Sequence, residues 1–367
     1  MEHTSVSSET GQQVPKPPRA EQCVGFVHSA MKEVTTFMYV KEYVPPEAKK
    51  EIEEIVERLK AAFLKALNNA QWMDYETRRN AKEKVMQITA KIAYPRWLLD
   101  PQVLESIYSD VSDLDPKSSF VKMMHDIRVN NEKKLMQKFR QPYSKDLDWL
   151  LSQSAATAFY SPSGNEIVYP AGGLRAPFYE HGLPKSVNFG SIGSVIAHEI
   201  SHSFIGRGGF YGADGRQKLW WTQQSQKNFS DRTDCFKQQY EQVFDKEANI
   251  NLNGQSTLDE NVADNIGLMI AFEAYSSLLN ECKRPAAKLE TLEQLSSTEL
   301  FLVSYAMVWC EVTNADQVKS KIQRNRHSPN KYRVNIPAAN LAAFASTFNC
   351  GSTDSENSYS KNKCILF

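Results

Sequence analysis

The stretch Val195-Ile196-Ala197-His198-Glu199-Ile200-Ser201-His202-Ser203-Phe204 constrains this chain more than any other. It contains the pattern H-E-x-x-H. On an α-helix the two histidines project from one face, so His198 and His202 can grip one metal ion, with Glu199 beside the coordination position they leave open. A zinc ion held this way by protein side chains keeps one position for a water, which metal and carboxylate can polarise together. The bland alternative is a helix that happens to carry His, Glu and His. At this chain's His and Glu frequencies that would arise on the order of once in a hundred chains of this length.

The 367 residues suffice for one large core or two domains. An apolar content of 41% and a charged content of 23% describe an ordinary globular protein. Lys+Arg and Asp+Glu balance at 43 each, so no net field recommends nucleic acid or an anionic membrane as a partner. No run of about 18 apolar residues exists, and no transmembrane segment is expected in this chain. Residues 1–20 are polar, rich in Ser, Pro and Gln, lack the apolar stretch of a signal peptide, and read as a disordered lead-in. The six cysteines, Cys23, Cys235, Cys282, Cys310, Cys350 and Cys364, form no C-x-x-C pair, which speaks against a cysteine zinc site. Their wide spacing fits disulfides and buried thiols equally well. Asn228-Phe229-Ser230 is compatible with a glycosylated surface, and Cys364-Ile365-Leu366-Phe367 matches a prenylation box.

Along the chain, Pro45-Pro46 can open a helix whose stripe Ile52, Ile55, Val56, Leu59, Phe63 and Leu67 runs to about Asn69. Asp74 can cap a second helix carrying Ala81, Val85, Ile88 and Ile92, ended by Pro95. Residues 96–150 are mixed helical patches whose charges read as a solvated face. Ala158-Phe159-Tyr160, the turn at 161–165 and Ile167-Val168-Tyr169 read as strand, turn, strand. The metal-motif helix is expected over Ser186–Phe204, and the glycine-rich stretch Gly206–Gly215 as a loop. Helical periodicity then resumes from Trp220-Trp221-Thr222 to Tyr240, near 258–279 and near 297–312.

Two histidines do not complete a catalytic zinc site, which usually has three protein ligands. Thr257-Leu258-Asp259-Glu260-Asn261-Val262-Ala263-Asp264 supplies a carboxylate: Glu260 and Asp264 share a helix face, Glu260 as a third ligand and Asp264 as an acceptor for the second ring N–H of His198. Thr-x-x-Glu is also a capping box, which would place Glu260 at a helix start for structural reasons alone.

H-E-I-S-H followed by E-N-V-A-D resembles the neprilysin and endothelin-converting-enzyme family of zinc endopeptidases. Thr157-Ala158-Phe159-Tyr160 and Asn165-Glu166-Ile167-Val168-Tyr169-Pro170-Ala171-Gly172 resemble that family's substrate strand and turn. Trp220-Trp221-Thr222, Trp309-Cys310 and His327-Ser328-Pro329-Asn330-Lys331-Tyr332-Arg333 resemble its later motifs. The similarity runs from about Gln22 to Phe367. It implies a mainly α (α+β) fold with a thermolysin-like (gluzincin) catalytic domain over 151–367 and part of an N-terminal helical domain over 21–150. It implies one Zn2+ per chain on His198, His202 and Glu260, with Glu199 as general base and Asp264 orienting His198. His327 would stabilise the tetrahedral oxyanion, and Arg333 would hold a substrate carbonyl. Thr157 and Ala158 would add an extended peptide as a strand. Val195, Phe178 and Trp309 are candidates for the apolar pocket beyond the scissile bond, with core packing as the alternative for each. The resemblance also pairs Cys235 with Cys364, which would spend the prenylation cysteine. It gives Cys23, Cys310 and Cys350 partners outside this chain, and leaves Cys282 unplaced.

Thr157 departs from the family's Asn, being shorter and without the amide's two donors. Ser203-Phe204-Ile205-Gly206 replaces the family's Gly-Phe-Asp-Asp. Against the family's pattern, the anchor and the first half of the ectodomain are expected to be missing from this chain. The function expected is zinc-dependent cleavage of oligopeptides on the amino side of hydrophobic residues, in an extracellular or cell-surface setting. The alternative is a truncated, incompetent homologue, or a fragment, acting only by binding.

Overall fold

The computed structural model describes residues 17–111, 117–149, 155–281, 286–350 and 363–367, and the backbone of 4–6 and 13–15. The first part of the chain holds β1 (Thr4–Val6), β2 (Gln13–Pro15), α1 (Arg19–Ala30), α2 (Lys32–Tyr43), α3 (Pro46–Asn69), α4 (Tyr75–Met86), β3 (Thr89–Ala93), α5 (Pro101–Ile107) and α6 (Phe120–Lys138). The second holds β4 (Phe159–Ser161), β5 (Glu166–Pro170), α7 (Lys185–Asn188), α8 (Ser194–Ser201), α9 (Gln223–Glu241), β6 (Phe244–Asp245), β7 (Ile250–Asn251), α10 (Leu258–Glu281), α11 (Ser297–Met307), α12 (Ala315–Arg324), α13 (Asn330–Asn340) and α14 (Ala342–Thr347). The chain is mostly helical, as expected. Within the supposed lead-in, β1 and β2 pair antiparallel, Ser5 opposite Val14, and α1 begins at Arg19.

Two compact units emerge. One comprises 1–44 with 94–154, where Ala30, Met124 and Ile127 form a small core and the Tyr108 hydroxyl donates to Glu33 at 2.6 Å. The other comprises 45–93 with 155–367. The segment 45–93, grouped by sequence with 21–150, therefore packs with the part that carries the metal motif. The reason is a strand absent from the sequence reading. The helix capped by Asp74 stops at Met86, and Thr89–Ala93 is extended, where β-branched Thr89 and Ile92 are at ease. β3 pairs parallel with β5, Ala90 opposite Ile167 and Ile92 opposite Tyr169, and β5 pairs antiparallel with β4. The sheet order is β3-β5-β4, so the wholly buried β5 is central. Lys91 and Glu166 form a buried ion pair of 2.9 Å across β3 and β5.

In this second unit the α3 stripe anticipated from periodicity is buried to 0–1% exposure at Ile52, Ile55, Val56, Leu59, Phe63 and Leu67. Each such side chain contributes about 1.5–3 kcal/mol of burial free energy. From the outer side of α3, Glu51 accepts from the Tyr179 hydroxyl at 2.8 Å and pairs with Lys185 at 2.9 Å, which ties down the segment leading into α7. The expected metal-motif helix runs helical from Lys185 to Ser201, with a π-helical turn, Phe189–Gly193, between α7 and α8, and stops short of Phe204. After α8 the glycine-rich stretch makes a 3-10 turn over Gly206–Phe210. Buried Lys84 of α4 holds it, donating to the carbonyls of Gly208 at 2.6 Å and Tyr211 at 2.5 Å. With carbonyls as acceptors, burial draws that amine down to about 7.

α10 lies against α8 backbone to backbone. A Cβ on Gly267 would stand 2.9 Å from the His198 nitrogen and 3.0 Å from both the His198 Cα and the Ser194 carbonyl oxygen. Cys235 of α9 is bonded to Cys364, with the Cα atoms 5.8 Å apart, so that thiol is spent as the family resemblance implied. Cys23, Cys310 and Cys350 are free thiols, and Cys282 lies outside the described residues. Asn228 of the sequon sits within α9 with its amide donating to the Trp72 carbonyl at 2.8 Å, an arrangement that does not suit a glycosylated surface.

Two outcomes follow from this packing. Gly267→Ala forces backbone atoms apart and is expected to cost about 1–3 kcal/mol, read as a lowered urea midpoint; an unchanged midpoint would show that the helices yield freely. Asp74 caps α4, accepting from the Thr77 N–H at 2.8 Å and from the hydroxyls of Ser225 at 2.6 Å and of Thr222. Burial works to raise its carboxyl, but these donors hold it down to about 2 against an ordinary 3.8. A depressed folded-state value gives stability that is present above the ordinary value and is lost as pH falls toward the folded one. Asp74→Ala should therefore cost about 1–2 kcal/mol at neutral pH. The gap to wild type should close as pH is lowered from 3.8 toward 2, whereas a pH-independent gap would exclude the charged cap as its source.

Candidate metal centre and active cleft

α8 carries His198 and is followed at its C-cap by His202; the two rings stand nearly perpendicular, 86° apart, with centroids 4.7 Å apart. Their Nε2 atoms are 3.1 Å from each other. Glu260 enters from the first turn of α10, its Oε2 3.2 Å from His198 Nε2 and 3.3 Å from His202 Nε2. The competing reading of Glu260 as a capping-box residue fails locally. The Thr257 hydroxyl donates to the Asn253 carbonyl at 2.8 Å and accepts from the Asn261 amide at 2.8 Å, leaving Glu260 to face the histidines.

His198, His202 and Glu260 can hold a metal ion, their ligand atoms all lying within 4.8 Å of one another. The fit to zinc is good on two grounds. A tetrahedral ion with bonds of about 2.0–2.1 Å separates its ligand atoms by about 3.3 Å, and the triangle here has sides of 3.1, 3.2 and 3.3 Å. Moreover, Oε2 of Glu260 is buried, and the ring nitrogens of His198, His202 and His327 all converge on it, at 3.2, 3.3 and 3.1 Å. A buried carboxylate oxygen is costly unless something positive meets it.

Asp264, one turn along α10, places Oδ1 2.8 Å from His198 Nδ1. Its other partner is Arg333 of α13, whose Nε and Nη2 donate to Oδ2 and Oδ1, both at 2.7 Å. The Arg333 guanidinium also stacks 3.8 Å over the Trp309 ring, and the Arg333 carbonyl accepts from the Tyr305 hydroxyl at 2.5 Å. His327 points Nε2 at Glu260 Oε2, 3.1 Å away, and its backbone N–H donates to the Asn325 side chain at 2.9 Å. The site is electrostatically coupled. Burial disfavours a charged His198, but Asp264, Glu260 and Glu199 outweigh it and pull the ring up to about 9. Burial likewise raises Glu260, yet the three histidines hold it far below the usual carboxylate range. For Asp264 the opposing charges of Arg333 and His198 overcome burial and lower it.

Beside this cluster opens a cleft of about 330 Å³. Its lining brings together Thr157, Ala158, Phe178, Val195 and Trp309, all named from sequence as substrate contacts, with Glu199, His198, His327 and Arg333. Thr157 is exposed, its hydroxyl 3.4 Å from the Ala158 carbonyl. Sequence reasoning missed Tyr169, Gly173 and Arg175, which share the lining. Tyr169 was legible only as a strand residue, and Arg175 carried no pattern at all. It also missed Arg326, whose Nε lies 2.9 Å from Glu260 Oε1. The only available signal was its place next to His327.

Residues 157–364 match the sequence profile of peptidase family M13, and residues 2–95 match that family's N-terminal profile. Neprilysin-1 of Trittame loki is 33% identical over 335 residues, 90% of this chain and 46% of that protein. Membrane metallo-endopeptidase-like 1 of Homo sapiens is 35% identical over 337 residues, 90% of this chain and 42% of that protein. Among solved structures, the zinc metalloprotease ZMP1 of Mycobacterium tuberculosis, in complex with an inhibitor, superposes with a TM-score of 0.78 at 28% identity, covering 98% of this chain and 53% of its own. The chain thus spans about half the length of the curated relatives it matches. No helix among the described residues is long and apolar enough to cross a membrane. With its profile matched over most of the sequence and its His-His-Glu cluster assembled beside the cleft, the chain belongs to peptidase family M13, the family of the neprilysins and endothelin-converting enzymes.

Proposed function

We propose that this chain is a zinc-dependent endopeptidase that cuts oligopeptides on the amino side of hydrophobic residues. The observation that carries the reading is the convergence of three ligand atoms on the edge of a cleft that also contains Glu199 and an apolar wall. His198, His202 and Glu260 would hold one zinc ion, which when bound supplies Lewis acidity to water and scissile carbonyl. Glu199, half-buried in the cleft, takes a proton from the attacking water and passes it to the leaving amine. Asp264 keeps the proton of His198 on Nδ1, so that Nε2 presents its lone pair. Because Arg333 donates to Asp264 through Nε and Nη2, its remaining N–H groups are the ones for a substrate carbonyl. His327 is the donor for the oxyanion that develops as the water adds.

An extended peptide would pair with backbone groups at Thr157 and Ala158, next to β4 at the edge of the sheet. Its side chain beyond the scissile bond would enter between Val195, Phe178 and Trp309. The short Thr157 side chain makes fewer polar contacts than an Asn would, so selectivity rests more on the apolar wall. The family membership, and a relative named as a membrane metallo-endopeptidase, support an extracellular or cell-surface setting for this chain.

The test uses the purified chain, with and without zinc, and a quenched peptide bearing Phe or Leu after the scissile bond. Cleavage should depend on zinc and stop with a chelator. Glu199→Gln should bind one zinc per chain yet lose at least about 10²-fold in kcat, the usual weight of a general base. Full activity in that variant would overturn the assignment of Glu199. A zinc-loaded wild type that binds the peptide without cutting it would favour a purely binding role.

A further inference from the structure

We propose that Arg326 is the positioning residue of the third metal ligand, holding Glu260 by one carboxylate oxygen so that the other faces the two histidines. The inference rests on the metal-centre reading above and concerns a contact that reading does not use. The two oxygens of Glu260 have different surroundings. Oε1 meets Arg326 Nε at 2.9 Å, whereas Oε2 faces the ring nitrogens of His198, His202 and His327 at 3.2, 3.3 and 3.1 Å. The last torsion of a glutamate is broad and roughly two-fold, so an untethered carboxylate can swap its oxygens or present both at once. A guanidinium on Oε1 removes that freedom and selects one oxygen for the ion.

Two effects of Arg326 oppose each other, and exposure decides between them. The guanidinium adds positive charge near the ion's place, which works against binding. Yet the Arg326 side chain is 73% exposed, whereas that of Glu260 is 4% exposed, so the charge reaches in from solvent and is largely screened. The ion-pair contact, in contrast, ends on a buried carboxylate oxygen, where orientation is worth most. Outer partners of ligating carboxylates and imidazoles typically change metal affinity by about 10–100-fold. Asn325 fixes the segment on the other side of Arg326 by accepting from the His327 backbone N–H at 2.9 Å. One short loop therefore sets neighbours on both oxygens of Glu260.

The experiment measures zinc affinity of the whole chain by competition with a chromophoric chelator, together with the visible spectrum of the cobalt(II)-substituted protein. R326A should bind zinc about 10–100-fold more weakly and show an altered cobalt band, because the carboxylate is no longer held to one oxygen. R326K keeps charge and bulk but lacks the planar donor, so it should fall on the weak side as well. R326K decides the matter if far-UV circular dichroism shows that R326A does not fold. Zinc bound as tightly as in wild type, or more tightly, overturns the proposal. Weakened zinc binding with an unaltered cobalt band also overturns it, by making the role merely structural. A wild-type chain that takes up no zinc sinks the metal centre itself, and the proposal with it.

Discussion

The centre depends on one buried carboxylate. Asp264 lies 2.8 Å from His198 of α8 and takes two hydrogen bonds of 2.7 Å from Arg333 of α13, while being itself part of α10. Three helices therefore meet at its two oxygens. A carboxylate this deeply buried is tenable only when paired and hydrogen-bonded, and the fork of Arg333 matches it bidentately. With Asp264 and Arg333 neutralising one another, Glu260 and Glu199 remain as the negative groups of the centre, a charge suited to a dication. His198 is drawn up to about 9 against the effect of burial, chiefly by Asp264, with Glu260 and Glu199 adding to it.

What sequence could reveal follows from how local each feature is. His198 and His202 are related by one helical turn, so their meeting is dictated by periodicity alone, and the α3 stripe was legible for the same reason. Glu260 was ambiguous: the sequence could not say whether the Thr257 hydroxyl caps a helix or, as found, bonds to Asn253 and Asn261. The strand Thr89–Ala93 was misread because Ile88 and Ile92 happen to continue the helical spacing of Ala81 and Val85. Its true determinant, pairing with Glu166–Pro170, lies far along the chain. The same strand moves 45–93 into the unit of the metal helix, which no composition shift announced. Arg326 escaped notice because its meaning comes wholly from a carboxylate distant in sequence.

Close approach of α8 and α10 turns this electrostatic arrangement into a geometric one. At Gly267 there is room for a hydrogen only, so α10 is held against the His198 backbone, and the rise of one turn carries Glu260 and Asp264 to either side of that imidazole. One ring thus meets Glu260 through Nε2 and Asp264 through Nδ1. A looser crossing would relax both contacts together, since both depend on the same backbone separation.

The pocket wall is bound into this arrangement through the same guanidinium. Arg333 neutralises Asp264 on one side and stacks 3.8 Å over Trp309 on the other, and Trp309 forms part of the cleft's apolar face. A cation over an indole face is favourable in its own right, more so when desolvated as here. Orientation of the His198 ring and placement of the cleft's apolar wall are therefore not independent of each other. A side chain that shifts Trp309 must disturb Arg333, then Asp264, then His198, each through contacts of 4 Å or less. On the proposed reading, recognition of the residue beyond the scissile bond and the readiness of the metal centre would be coupled by direct contact.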